Sequence, residues 1–240
     1  MVSVAVAGNV RPVRVHVAFT PAEATRVPVG IVVDVLRATS TVVQALDSGH
    51  GAVYCCSEID EARALAAELA DAVLAGERSA ELIPGFDYGN SPRDFLERRA
   101  GNVVLTTTNG TRAIVAAAGD CDVVFCGSLL NAEAVAWAAT EHGEDVEIVC
   151  AGFQGAFSLD DAYCAGRIVE LLGGVRTEAA EEAVHIVQEA GSAEAAFRAA
   201  RAAGETIDEE DLLWCARESV TGVVPRLDGL HGLAARLVSG

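Results

Sequence analysis

Acidic side chains stand where apolar runs end. Asp34 follows Ile31-Val32-Val33, Glu77 follows Ala72-Val73-Leu74-Ala75-Gly76, and Asp160-Asp161 follow Gly152 to Leu159 after a run through Cys150. A carboxylate at the end of an Ile/Val run is partly desolvated, and it stays ionised there only beside an opposite charge or a cation. Oxygen ligands from Asp34, Glu77 and Asp161 select Mg²⁺ over zinc, because a hard ion takes hard donors and keeps part of its shell for water and substrate phosphate. Water activated in such a site, or Asp34 itself, is then the candidate nucleophile. Asp160 is read as complementing the dipole of the helix it opens, or as a second acid of the reaction.

Basic and hydroxyl groups accompany these acids. Arg37 precedes Thr39-Ser40-Thr41, and Arg78 follows Glu77 directly. The run Thr106-Thr107-Thr108-Asn109-Gly110-Thr111-Arg112 combines hydroxyls, a turn signal and a guanidinium at the start of a helix. Helix N-termini present unpaired N–H groups, so both segments read as anion cradles, with Thr39, Ser40, Thr41, Thr108, Asn109, Gly110, Thr111 and Arg112 as candidate contacts. The chain contains no lysine: its 17 basic residues are all arginines. A Walker-type loop, a Schiff base and a pyridoxal site are thereby excluded, and anions must be held by Arg, amides, hydroxyls or metal.

The elements that position these residues alternate along 240 residues. Strand-like runs cover Val13–Phe19, Val29–Val35, Ala52–Cys56, Ala72–Ala75, Val103–Thr107, Val123–Cys126 and Glu147–Ala151. Helix-like runs cover Thr39–Asp47, Glu58–Leu69, Arg93–Arg99, Thr111–Ala118, Asn131–His142, Asp160–Leu172, Thr177–Glu189, Ala193–Ala203 and Glu209–Ser219. Nearly continuous apolar strands suit a sheet covered on both faces, so the expected fold is a three-layer α/β/α arrangement with a mainly parallel or mixed sheet. Residues 1–240 read as one domain, with 177–222 a helical subregion capping the sheet. Ligands bind beyond the carboxyl ends of such strands, which is where the acids, arginines and hydroxyls collect.

Composition narrows the partners. A net charge of −18 opposes binding to nucleic-acid backbones and resembles adaptation to a salt-loaded cytoplasm. No apolar run reaches membrane-spanning length, and the short apolar Met1–Val10 stretch lacks a preceding basic residue, so neither a membrane nor a signal peptide is expected. Seven cysteines without a CxxC pair read as buried, reduced thiols of a cytoplasmic protein. The five histidines show no ligand spacing.

Taken together, DVLRATST (34–41), GER (76–78), PGFDYGNSP (84–92), TTTNGTRAI (106–114), FSLDD (157–161) and DEEDLLWCARESVTGVVP (208–225) resemble the 2-phosphosulfolactate phosphatase family over roughly residues 12 to 225. The resemblance implies Mg²⁺-dependent hydrolysis of (2R)-2-phospho-3-sulfolactate to 3-sulfolactate and phosphate, a step of coenzyme M biosynthesis, or of a related 2-hydroxyacid phosphate. It also implies a small anionic phosphoester as partner, a homo-oligomer, and substrate contacts from Asn90 and Ser91 within the PGFDYGNSP motif. Arg37, Arg78 and Arg112 are the candidate cations for a substrate with several anionic groups. Asp160 departs from the family pattern, where Glu is expected before Asp161, which changes the reach of that acid. A haloacid-dehalogenase-type phosphatase is the rival reading from Asp34, but Leu36 stands where its second Asp belongs and no lysine exists. A non-catalytic anion-binding protein is the other alternative.

Overall fold

The computed structural model describes residues 12–202 and 207–240. The Met1–Val10 stretch and the last residue of the expected 193–203 helix lie outside them. Eleven strands form one sheet in the order β5-β4-β6-β3-β11-β10-β7-β2-β8-β1-β9. In chain order the strands are β1 (Arg14–Ala18), β2 (Val27–Val33), β3 (Ala52–Cys56), β4 (Ala72–Arg78), β5 (Glu81–Leu82), β6 (Asn102–Thr106), β7 (Cys121–Gly127), β8 (Val146–Cys150), β9 (Val175–Arg176), β10 (Pro225–His231) and β11 (Ala234–Ser239). The helices are α1 (Ala38–Asp47), α2 (Ile59–Glu68), α3 (Gly110–Asp120), α4 (Ala132–Thr140), α5 (Leu159–Leu171), α6 (Glu178–Ala190), α7 (Ala193–Ala202) and α8 (Glu209–Cys215).

Two parallel blocks make up most of the sheet. β4, β6 and β3 pair in parallel, as do β7, β2, β8, β1 and β9. Successive side chains of β2 point to opposite faces: Ile31 and Val33 join the core under α4, α5 and α6, whereas Val32 joins the core with α1 and α3. Both sets are buried, which is why this strand reads as an unbroken apolar run. Close helix packing in the first core depends on Gly166 of α5, where a Cβ would lie 2.2 Å from the Ala183 carbonyl oxygen of α6.

The expected helical part, 177–222, contains α6, α7 and α8. Beyond it, where no strand is expected from the sequence, β10 and β11 form an antiparallel hairpin inserted between the two parallel blocks, pairing with β7 through Arg226 and Phe125 and with β3 through Ala235 and Cys55. The hairpin carries exposed Leu230 in β10, exposed Leu233 in its turn, and glycines at 229 and 232, so its alternation is weak, although Ala235 and Leu237 are buried. The expected Arg93–Arg99 helix shrinks to a 3₁₀ turn over Pro92–Phe95. Ser91 caps that turn by accepting from the Arg93 N–H, and beyond it Arg99 N–H turns back to the Ser48 carbonyl.

Candidate active site

The carboxyl ends of β2, β4, β6 and β8 open on a cavity of about 210 Å³. Its lining includes Asp34, Arg37, Glu77, Asn90, Thr108, Asn109, Asp160 and Asp161, with Phe153, Gln154 and Ile207 as further walls. Four acids from three strand ends thus meet at one place, as the pattern of acids after apolar runs requires.

Asp34 sits in the turn between β2 and α1. Its Oδ1 accepts the Ala38 N–H at 3.1 Å, so the carboxylate satisfies the first free amide of α1. On its other side α3 comes close, because a Cβ at Gly110 would stand 2.3 Å from Asp34 Oδ2 and 2.5 Å from the Ala38 Cβ. Only a residue without a side chain lets the N-terminus of α3 approach this acid. Burial pushes the Asp34 pKa up to about 7; the Asp160 and Glu77 charges add to the rise, while the Ala38 N–H and Arg37 oppose it. The Leu36–Arg37 peptide that follows is cis.

Asp160 and Asp161 occupy the first turn of α5, behind Ser158. Asp160 hydrogen-bonds the Ser158 hydroxyl. Asp161 ties two strand ends together: its Oδ1 accepts the Val35 N–H at 2.8 Å and its Oδ2 the Gly152 N–H at 3.0 Å. Burial raises the pKa of both, and for Asp161 the charges of Asp160 and Asp34 add to the rise. Burial thus raises the pKa of all three acids, with the charge of Asp160 adding to the rise at Asp34 and Asp161.

Glu77 faces a different set of partners. Its Oε1 accepts the Thr108 N–H at 2.7 Å, and its Oε2 accepts the Ala80 N–H at 2.8 Å and the Thr108 hydroxyl at 3.1 Å. This carboxylate holds the β4 hairpin against the loop after β6. No group of three or more His, Cys, Asp or Glu side chains is arranged to hold a metal ion among the described residues.

The hydroxyl runs turn out to build the loops. Thr39 donates to the Asp34 carbonyl and accepts the Asp34 N–H, Ser40 donates to the Val35 carbonyl, and Thr41 donates to the Asn90 carbonyl. All three are buried. Thr111 and Thr107 exchange reciprocal bonds at the start of α3, where Thr107 N–H donates to Thr111 Oγ1 and Thr111 N–H to Thr107 Oγ1. Asn109 lines the cavity and accepts the Gln154 N–H at 3.1 Å, which anchors the turn after β8.

Of the three candidate arginines, one lines the cavity. Arg37 does so with a side chain 13% exposed. Arg78 donates to the carbonyls of Glu77 and Ser57 and to the Thr106 hydroxyl, bracing three strand ends. Arg112 points outward to Glu58 at 3.0 Å. Sequence reasoning missed Asp211 of α8, which accepts from Arg37 Nη1 at 2.6 Å and from the Ser91 hydroxyl at 2.5 Å. These partners lie 174 and 120 residues away, so no local pattern announces the contact. The acid itself was visible only as one of four in DEED. Asn90 lines the cavity beside them, with its Oδ1 buried and unpaired.

A family model described as 2-phosphosulpholactate phosphatase matches residues 17–229. A probable 2-phosphosulfolactate phosphatase of Thermus thermophilus is 38% identical over 235 residues, covering 92% of this chain and 97% of that protein. The 2-phosphosulfolactate phosphatase of Methanothermobacter thermautotrophicus is 38% identical over 198 residues, covering 81% and 84%. A probable 2-phosphosulfolactate phosphatase of Symbiobacterium thermophilum is 46% identical over 158 residues, covering 64% and 67%. No helix among the described residues is long and apolar enough to cross a membrane. With a family model over most of its length and relatives 38% identical across 81–92% of it, the chain belongs to the 2-phosphosulfolactate phosphatase family of phosphoric monoester hydrolases.

Proposed function

We propose that the chain hydrolyses (2R)-2-phospho-3-sulfolactate, or a closely related 2-hydroxyacid phosphate, to the free hydroxyacid and inorganic phosphate, with Mg²⁺ as cofactor. The observation that carries the reading is the meeting of buried Asp34, Asp160 and Asp161 with Arg37 on one cavity. A protein that only bound anions would have no use for three acids there, since each repels the ligand. The donor set fits a hard divalent cation: it is all oxygen, buried, and held by neighbours that discourage ionisation until positive charge arrives.

Asp34 and Asp160 are the side chains that would hold Mg²⁺. Asp161 fixes the loops on either side, and Glu77 holds the far wall rather than joining a three-acid cage. When bound, the ion would neutralise phosphate oxygens and lower the barrier to attack on phosphorus. Arg37 supplies a guanidinium for a second anionic group of the substrate. Hydrolysis places a water oxygen on phosphorus and breaks the ester bond, and the leaving alkoxide must gain a proton. The proton that the attacking water loses balances that gain.

Phosphate release from phosphosulfolactate, phospholactate and phosphoglycerates, each with and without Mg²⁺, tests the reading. Turnover should need the metal, and Asp34→Asn and Asp160→Asn should each reduce it by at least about 100-fold with the fold unchanged. Full activity in both variants, or equal activity in chelator, removes the assignment.

A further inference from the structure

Arg37 bears the only positive charge on the cavity lining among the described residues, and it faces Asp34, Glu77, Asp160 and Asp161. Left to itself, a guanidinium on a flexible stem would fold onto the nearest of these acids, and Asp34 already feels its charge. A competing partner stands outside the cavity lining. Asp211 of α8, 2% exposed, accepts from Arg37 Nη1 through Oδ2 and from the Ser91 hydroxyl through Oδ1. Arg93 Nη1 lies 3.8 Å from Oδ1, so Asp211 meets guanidinium groups from two segments. One donor of Arg37 is thereby taken and anchored on α8, while the residue still lines the cavity and has further N–H groups to offer.

We propose that Asp211 is a positioning residue that holds Arg37 away from the acids and presents it to an anionic group of the substrate. The helical C-terminal region then completes the site from a distance: α8 contributes no atom to the reacting centre but sets the orientation of its cation. The inference rests on the phosphatase reading for its kinetic part, and on geometry alone for its binding part.

Turnover and equilibrium binding of inorganic phosphate with Mg²⁺ are measured for wild type, Asp211→Asn, Arg37→Gln and the double variant. Losing one charge-assisted hydrogen bond should lower kcat/KM and phosphate affinity by roughly 10- to 100-fold in Asp211→Asn, and the same change on top of Arg37→Gln should add less than about threefold. Asp211→Glu keeps the charge but displaces it, and is the fallback where the amide variant folds poorly; it should show the same dependence on Arg37. Additive losses, or wild-type phosphate affinity in a folded Asp211 variant, overturn the proposal. Absence of turnover in the wild type with phosphate binding intact would instead count against the substrate reading, leaving the role of Asp211 to be decided by the binding series.

Discussion

Replacing Asp34 by asparagine removes a buried charge while keeping an oxygen that can accept the Ala38 N–H. In the metal-free protein this should change how stability depends on pH. The Asp34 pKa rises from 3.8 to about 7 in the fold, a shift of about 3 units worth on the order of 4 kcal/mol at 1.36 kcal/mol per unit. Because the folded value lies above the unfolded one, the favourable contribution is complete below pH 3.8 and disappears as pH rises through about 7. Above that pH the folded protein holds an anion that burial and two neighbouring acids oppose. Asp34→Asn should therefore be more stable than wild type at pH 8 in chelator, and the difference should grow by roughly 3 kcal/mol between pH 5 and pH 8. For a chain of this size that is a Tm difference of roughly 6 to 12 °C.

Urea unfolding of both proteins at half-unit steps from pH 5 to 8.5 measures the difference directly, and the comparison cancels much of what Asp160 and Asp161 contribute to each. Adding Mg²⁺ at pH 8 should raise the stability of wild type and do much less for Asp34→Asn, since binding to the folded state alone stabilises it by mass action. Parallel stability curves in chelator would show that Asp34 is not desolvated as the structure requires. Equal stabilisation of both proteins by Mg²⁺ would show that the ion binds elsewhere.

Two further substitutions separate structure from chemistry. Gly110→Ala places a methyl group 2.3 Å from Asp34 Oδ2, so it should cost about 1–3 kcal/mol in unfolding free energy and also reduce kcat, as steady-state kinetics beside urea titration would show; wild-type values in both would deny that α3 packs against the acid. Arg112→Ala breaks an exposed pair with Glu58 and should shift stability by less than about 1 kcal/mol and kcat/KM by less than about threefold, whereas a large rise in KM would mean that Arg112 turns inward when substrate is present.

What the sequence made legible follows from the range of the signals it carries. Acids at the ends of Ile/Val runs are a local pattern, and for Asp34 and Asp161 it led to residues that do share a cavity. The hydroxyl runs were equally visible, but their type did not reveal their partners: Thr39, Ser40 and Thr111 spend their hydrogen bonds on the backbone of their own turns, a common outcome for short polar side chains at helix entries, and Thr41 reaches the Asn90 carbonyl of another loop. Arginines near the motif were visible too, yet a side chain of that length can face either way from a strand end, and Arg78 and Arg112 face away from the cavity lining. The central hairpin and Asp211 were hidden for a deeper reason. β11 pairs with β3, about 180 residues earlier in the chain, and Asp211 meets Arg37 at a similar separation. Neither contact has a local period, because each is made by the C-terminal region folding back over elements laid down first. The C-terminal region thus joins the two parallel blocks through its hairpin and braces the cavity's cation through α8, so changes in α8 or the hairpin should reach the site through placement of Arg37 and the strand ends rather than through contact with substrate.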